Sequence, residues 1–251
     1  MCIIVIKNRG VTLDKALLHT CFENNPDGAG IAWADGQWVH VIRGLMTLET
    51  LGLALESFST ELEKNLTVFH FRQATVGGVL PALTHPFPLP AYADKKYSTM
   101  YKAKAVLFHN GHISGLGSRS AKGDKIRSDT LALAECLSDM CAPDRQRMLN
   151  FLVETGQKFT ILTPSGVALY GKFITDLQHS GYKFSNSTYK PDLYKGWDLY
   201  KWRNFEFPKT GAASDSDEVD ICEFCYGVKG VMRRDGYMIC EDCYHELRDV
   251  L

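Results

Sequence analysis

Cys2 is the first residue of this 251-residue chain with the means for covalent chemistry. Its side chain is small and follows Met1 directly, which is the context in which cytosolic methionine aminopeptidase removes the initiator. The freed α-amine would then belong to the same residue as the thiol. Reference pKa values of about 8 for the amine and about 8.5 for the thiol let the amine take the thiol proton at neutral pH, directly or through a positioned water. One residue would supply both nucleophile and base. A chance cysteine at position two is the bland alternative.

A second set of reactive side chains lies at the other end. Cys222-Glu-Phe-Cys225 and Cys240-Glu-Asp-Cys243 offer the two knuckles of a tetrahedral four-thiolate site, the arrangement of a structural zinc, one per chain. The alternatives are a redox pair or coincidence, but so short a segment, poor in aliphatic residues, needs a staple to fold. It resembles a zinc ribbon. A closed site has no open coordination position, so the metal is expected to be structural and the rest of the chain metal-independent; no organic cofactor is expected. Between the knuckles, Lys229, Arg233 and Arg234 with Tyr226 and Tyr237 would suit nucleic acid or an acidic protein surface. Glu223, Glu241, Asp242 and Glu246 offset that charge, so a protein partner is equally expected. Cys21, Cys136 and Cys141 read as small buried apolar residues.

Between these ends stand Asn25-Pro26-Asp27-Gly28-Ala29-Gly30, Phe71-Arg72-Gln73-Ala74-Thr75-Val76-Gly77, Thr84-His85-Pro86-Phe87, His109-Asn110-Gly111-His112-Ile113 and Ser128-Asp129-Thr130. With Cys2, in this order and at these intervals, residues 2–190 resemble the class II glutamine amidotransferase domain of the N-terminal nucleophile hydrolase superfamily. The resemblance implies a four-layer αββα sandwich with two antiparallel sheets. It implies Cys2 as nucleophile, and Asn110 with the backbone N–H of Gly111 as the oxyanion hole. Arg72 would grip a substrate α-carboxylate, Asp129 would receive the α-ammonium, and Thr75 would be a further substrate-binding position. Glutamine would yield glutamate and ammonia through a γ-glutamyl thioester.

Taken singly, these residues have plainer readings: Asp129 as an N-cap, Arg72 as a surface ion pair, Asn110-Gly111 as a tight turn. His85 and His109 read as supports of loop geometry, and His112 has no assigned role. Ile3, Val76 and Thr84 depart from the family pattern, which has glycine, histidine and asparagine at these places.

The elements that must hold these residues follow from periodicity. Residues 1–7 form a β-branched strand, and 30–34 with 38–43 form a hairpin about Asp35-Gly36. Leu51, Leu55, Phe58 and Leu62 give residues 48–63 helical spacing. Residues 66–72 and 103–109 are apolar runs of strand length, separated by a Pro-rich aromatic loop, 80–100, long enough to cover a site. Ser128-Asp129 opens a helix, 145–155 forms another, and 158–163 with 167–173 form a second hairpin about Pro164-Ser165-Gly166. Strands in two batches with helices between them predict an α+β domain rather than a βαβ parallel sheet.

The chain is 45% hydrophobic and 23% charged, as expected of an ordinary globular protein. Lys+Arg 28 against Asp+Glu 29 gives net charge −1, so no chain-wide attraction for nucleic acid or anionic membrane exists. The early apolar run stops at Lys7, too soon for a signal core or a membrane span, and a cytoplasmic protein is expected. The domain organisation reads as residues 2–206, a flexible acidic linker over 207–220, and a ribbon over 221–251. Nothing in residues 190–251 is large enough for a synthase, so a synthase subunit is a candidate partner. An amidase for another γ-glutamyl compound, or a catalytically idle binding protein, are the rival readings. Residues 182–203 interleave lysines with Tyr189, Tyr194, Trp197, Tyr200 and Trp202, which reads either as an edge strand with packed aromatics or as a stacking surface.

Overall fold

A computed structural model describes residues 2–74, 78–91, 95–116 and 128–191, together with the backbone alone of Val231–Arg234 and Tyr237–Cys240. The chain divides into two compact units, Met1–Lys190 and Pro191–Leu251. The expected boundaries at 206 and 220 lie outside the described residues.

The first unit is a mixed α/β structure with two antiparallel sheets. Its first strand, β1 (Ile3–Lys7), is buried along its whole length. Because successive strand side chains alternate, Ile3 and Val5 enter one core while Ile4 and Ile6 enter another. Helix α1 (Lys15–Asn24) follows, capped by Asp14, whose carboxylate accepts from the Leu17 N–H at 2.9 Å. Strands β2 (Ala29–Ala34) and β3 (Val39–Leu45) form the expected hairpin.

The helical pattern over 48–63 is realised as two helices, α2 (Leu48–Ser57) and α3 (Ser59–Lys64). Thr47 and Thr50 close a capping box at the start of α2, and Phe58 interrupts the run while packing beside the same core. Strand β4 (Leu66–Phe71) then lies between β1 and β2.

Strands β5 (Phe87–Pro88), β6 (Met100–Ala103) and β7 (Val106–Asn110) follow. The sequence reading of 103–109 as one strand thus merges two: β6 pairs with β3, whereas β7 belongs to the other sheet. Helices α4 (Asp129–Ser138) and α5 (Ala142–Glu154) precede β8 (Lys158–Thr163) and β9 (Gly166–Tyr170). The short β10 (Ile174–Thr175) and β11 (Tyr182–Phe184) return to the first sheet.

The large sheet runs β10-β11-β1-β4-β2-β3-β6 and the smaller one β5-β7-β8-β9. One core joins α1, α2 and α3 to the large sheet through Leu17, Leu18, Leu51, Leu55, Leu62, Phe69 and Phe71. A second, with Ile4, Ile6, Val41, Val68, Phe108 and Leu162, joins side chains of both sheets. A third packs α4 and α5 on the smaller sheet through Leu107, Leu131, Leu149 and Phe159. Helices, sheet, sheet and helices are therefore held together by three apolar interfaces.

Of the three cysteines expected in the interior, only Cys21 is buried; Cys136 and Cys141 are exposed. Cys136 falls on the outer side of α4, whose apolar stripe is Leu131, Leu133, Ala134 and Leu137. Cys141 precedes α5, where its thiol meets the Asp144 carboxylate at 3.1 Å.

The described part of the second unit is a two-stranded antiparallel hairpin of β12 (Val231–Arg234) and β13 (Tyr237–Cys240), with Val231 opposite Cys240. Among the described residues, no helix is long and apolar enough to cross a membrane.

Candidate active site

Antiparallel pairing of β1 with β4 places Ile3 opposite Phe71, so Cys2 and Arg72 stand side by side where β1 begins and β4 ends. The side chain of Ile3 is wholly buried in the helix-facing core. The Cys2 sulfur accepts from the Gln73 N–H at 3.3 Å, and the thiol faces the Gln73 carbonyl at 3.4 Å. Burial raises the thiol pKa, opposed by the Gln73 contact and the Arg72 charge. The sulfur is therefore held mainly as a thiol, and attack requires a base.

The motif around Asp27 explains how the 72–74 segment is held. Arg72 N–H donates to the Gly28 carbonyl at 2.8 Å, Asp27 N–H donates to the Arg72 carbonyl at 3.0 Å, and the Asp27 carboxylate accepts from Ala74 N–H at 2.8 Å. Arg72 is only 4% exposed, which removes the surface-ion-pair reading. One of its guanidinium nitrogens donates to the Gly78 carbonyl at 2.7 Å. Burial lowers its pKa, while Cys2, Asp27 and Asp129 oppose that shift.

Asn110 ends β7, and Gly111 follows with φ 153°. A Cβ at Gly111 would lie 1.9 Å from Gln157 Oε1, so a larger residue there would have to displace the Gln157 amide. Asn110 Nδ2 donates to Ser185 Oγ at 2.7 Å, leaving one amide proton uncommitted; among the described residues its Oδ1 has no partner.

The cap of α4 is Ser128, whose Oγ accepts from Leu131 N–H at 3.1 Å; Asp129 is therefore not the N-cap. The Asp129 carboxylate turns back instead, accepting from Ile113 N–H at 2.9 Å and Thr130 N–H at 2.8 Å. His112 Nδ1 stands 3.5 Å from the same carboxylate.

Cys2, Arg72, Gln73, Ala74, His85, His109, Gly111, Ser128, Asp129 and Thr130 line one cleft of about 280 Å³, its open mouth included. Of the residues singled out in the sequence, Cys2, Arg72, Gly111 and Asp129 meet on its wall, and Asn110 adjoins Gly111. Thr75 lies outside the described residues.

A buried cation ties together the described segments on either side of residues 92–94. The Arg43 guanidinium donates to the carbonyls of Thr84 at 3.0 Å, Pro86 at 3.2 Å and Ser98 at 2.8 Å, and sits 4.8 Å from the centre of the Phe87 ring. Gly30 admits the first of these segments, because a Cβ there would meet the His85 carbonyl oxygen at 1.8 Å. That segment thus delivers His85 to the cleft. His109 is held from both sides, by Thr130 Oγ1 at 2.9 Å and Gln157 Oε1 at 3.0 Å.

Ser185 and Asn186, just beyond β11, belong to this neighbourhood and escaped the sequence reading. Their contacts to Ile4, Asn110 and Cys2 join segments far apart in the chain, and no local pattern announces them. Asp27 was within a recognised motif, but only the fold reveals its hold on Ala74.

Among the described residues, no group of three or more histidine, cysteine or acidic side chains could hold a metal ion. Cys222, Cys225 and Cys243 lie outside them. Cys240 is placed by its backbone at the end of β13.

No protein-family model and no curated protein sequence matches the chain. Among solved structures it is distantly similar to glutamine phosphoribosylpyrophosphate amidotransferase from B. subtilis, complexed with ADP and GMP, at 17% identity and a TM-score of 0.40. The match covers 73% of this chain and 41% of the other, so the chain spans about two fifths of that protein's length.

Proposed function

We propose that this chain is a glutaminase of the class II amidotransferase type, which hydrolyses the side-chain amide of glutamine or a close γ-glutamyl amide through a thioester on Cys2. The observation that carries the reading is the meeting of Cys2, Arg72, Gly111 and Asp129 on one cleft wall. A nucleophile, a two-pronged cation, a backbone donor and a carboxylate are the groups that an amino acid with a reactive side-chain amide requires.

In this mechanism Arg72 binds the substrate α-carboxylate and Asp129 the α-ammonium, which leaves the side-chain amide over Cys2. With Met1 removed, the Cys2 α-amine takes the thiol proton as sulfur attacks the amide carbonyl. Asn110 Nδ2–H and Gly111 N–H receive the oxyanion. Collapse of the tetrahedral intermediate breaks the C–N bond, and the proton held by the α-amine passes to the departing ammonia. Water, deprotonated by the same amine, then attacks the thioester and returns glutamate and free thiol.

The C-terminal cysteines Cys222, Cys225, Cys240 and Cys243 are proposed to hold one structural zinc in a ribbon that recruits a partner, a synthase subunit using the ammonia being the leading candidate. In support, β12 and β13 form a hairpin between the two cysteine pairs, and it ends at Cys240. The zinc would supply folding stability alone.

Incubation of the Met1-processed protein with glutamine tests the reading. Glutamate and ammonia appear in equal amounts if it is correct. Release only from other γ-glutamyl amides would change the substrate, and release from none would leave a binding protein.

A further inference from the structure

Two adjacent residues reach both halves of the proposed catalytic centre. Ser185 continues the pairing of β11 with β1, its N–H donating to the Ile4 carbonyl at 3.0 Å. Its Oγ accepts twice, from Ile4 N–H at 2.8 Å and from Asn110 Nδ2 at 2.7 Å. Both lone pairs of the hydroxyl are thereby used, and Ser185 is wholly buried, so water cannot substitute for either bond. Lys158 Nζ donates to the Ser185 carbonyl and ties the same residue to the start of β8, opposite Asn110.

Asn186 faces the other way. Its Nδ2 donates to the Cys2 carbonyl at 2.7 Å, while its Oδ1 is held by Thr188 N–H at 3.0 Å and Thr188 Oγ1 at 2.8 Å. The Thr188 contacts decide which end of the amide points at Cys2, since a carboxamide oxygen cannot donate.

We infer that Ser185 and Asn186 form a positioning clamp, in which Ser185 aims the Asn110 donor and Asn186 sets the Cys2 backbone from which both thiol and α-amine project. This inference rests on the glutaminase reading above. The physical need is plain. An asparagine side chain has two free torsions, and an oxyanion donor works only if it is oriented before charge develops. With Ser185 holding one Nδ2 proton, the direction of the second is determined by the planar amide. Once Met1 is removed, Cys2 is the chain terminus with covalent support on one side only, and the Asn186 bond supplies a second restraint. The clamp side chains bond Ile4, Asn110, Cys2 and Thr188 rather than Arg72 or Asp129, so ground-state binding of the amino-acid end should not depend on them.

The test compares Ser185→Ala, Ser185→Thr and Asn186→Asp in the full-length, Met1-processed protein. Ser185→Ala should lower kcat about tenfold to a hundredfold with KM within twofold of the parent, and Ser185→Thr, which keeps the hydroxyl, should recover most of the loss. Asn186→Asp keeps both Thr188 contacts, replaces the donor to Cys2 with a repelling acceptor, and should lower kcat comparably. Its Cys2 should also react several-fold more slowly with iodoacetamide at pH 7, read at that cysteine by peptide mass spectrometry. A kcat for Ser185→Ala equal to the parent's, or a matching loss in Ser185→Thr, would overturn the Ser185 half; unchanged alkylation in Asn186→Asp would overturn the other. If the parent releases no glutamate or other γ-glutamyl product, it is the functional reading that fails. The side-chain amide protons of Asn110 then decide the Ser185 half by NMR: faster solvent exchange in Ser185→Ala supports the clamp, and unchanged exchange contradicts it.

Discussion

His85 Nδ1 lies 2.7 Å from His70 Nε2, and His70 Nε2 is also 3.0 Å from the His109 carbonyl oxygen. A carbonyl only accepts, so His70 carries its proton on Nε2 and shares it between the two; His85 then accepts at Nδ1 and holds its own proton on Nε2. Both rings are neutral inside the protein. Burial takes His70 down to a pKa of about 3, and burial with the neighbouring His70 holds His85 well below its usual range.

This pair makes the fold acid-sensitive. Below about pH 6.5 the unfolded chain binds protons on these histidines and the folded chain does not, so stability is complete above that pH and falls as acid is added. Each histidine contributes about 1.4 kcal/mol per pH unit over its window. The denaturant midpoint should drop steeply between pH 6.5 and 5, and less steeply in His85→Gln. Equal midpoints for the parent protein at both pH values would show that the pair is not held neutral.

Substrate capture and turnover should separate by residue. Arg72→Ala and Asp129→Asn remove partners of charges already present on the substrate and should raise KM. Asn110→Ala should instead lower kcat, by on the order of a hundredfold or more, because its donor acts on charge that develops later. Steady-state kinetics decide this, and a change confined to KM in Asn110→Ala would remove the oxyanion assignment.

Gly111→Ala should both slow turnover and weaken the fold. The new Cβ would stand 1.9 Å from Gln157 Oε1, whose amide is held by His109 at 3.0 Å and by the His112 carbonyl at 2.9 Å. A cost of about 1–3 kcal/mol is expected from the forced displacement. Adding Gln157→Ala should return part of that stability, a coupling measurable by a double-mutant cycle in urea. Strictly additive losses would mean that the two residues do not meet.

How much of this was legible beforehand depended on whether the signal was local. The β-branched run of β1 and the polar Ser128-Asp129 ahead of α4 are properties of neighbouring residues, and the strand and the helix start both appear in the structure as the sequence suggests. Helix α1 carried an equally local signal, Asp14 ahead of Leu17, Leu18, Cys21 and Phe22, yet polar His19 and Thr20 within the run obscured it. Phe58 fits a helical stripe by spacing alone, so the break between α2 and α3 could not be read from periodicity. Ser185 and Asn186 were invisible for a different reason: their worth comes from Cys2, Ile4 and Asn110, brought to them by sheet pairing and layer packing. Cys2, Arg72, Gly111 and Asp129 stand out by motif, and their common cleft needs the fold.

The second unit should bind one zinc per chain, lost in Cys222→Ser or Cys243→Ser. A chain ending at Phe207 should keep the thermal transition of the first unit, whose three cores are built from residues before 191. Metal analysis and a thermal melt check both points. Absence of zinc from carefully purified full-length protein, or aggregation of the shortened chain, would refute the two-part organisation.

The claim that Cys2 carries the reaction is tested most directly by acid-quenching the Met1-processed protein during turnover with glutamine and reading its N-terminal peptide by mass spectrometry. The mechanism predicts a glutamyl adduct on Cys2, removed by hydroxylamine and absent from Cys2→Ala, which should also release no glutamate. Glutamine hydrolysis at the parent rate by Cys2→Ala, or by protein shown to retain Met1, would contradict it.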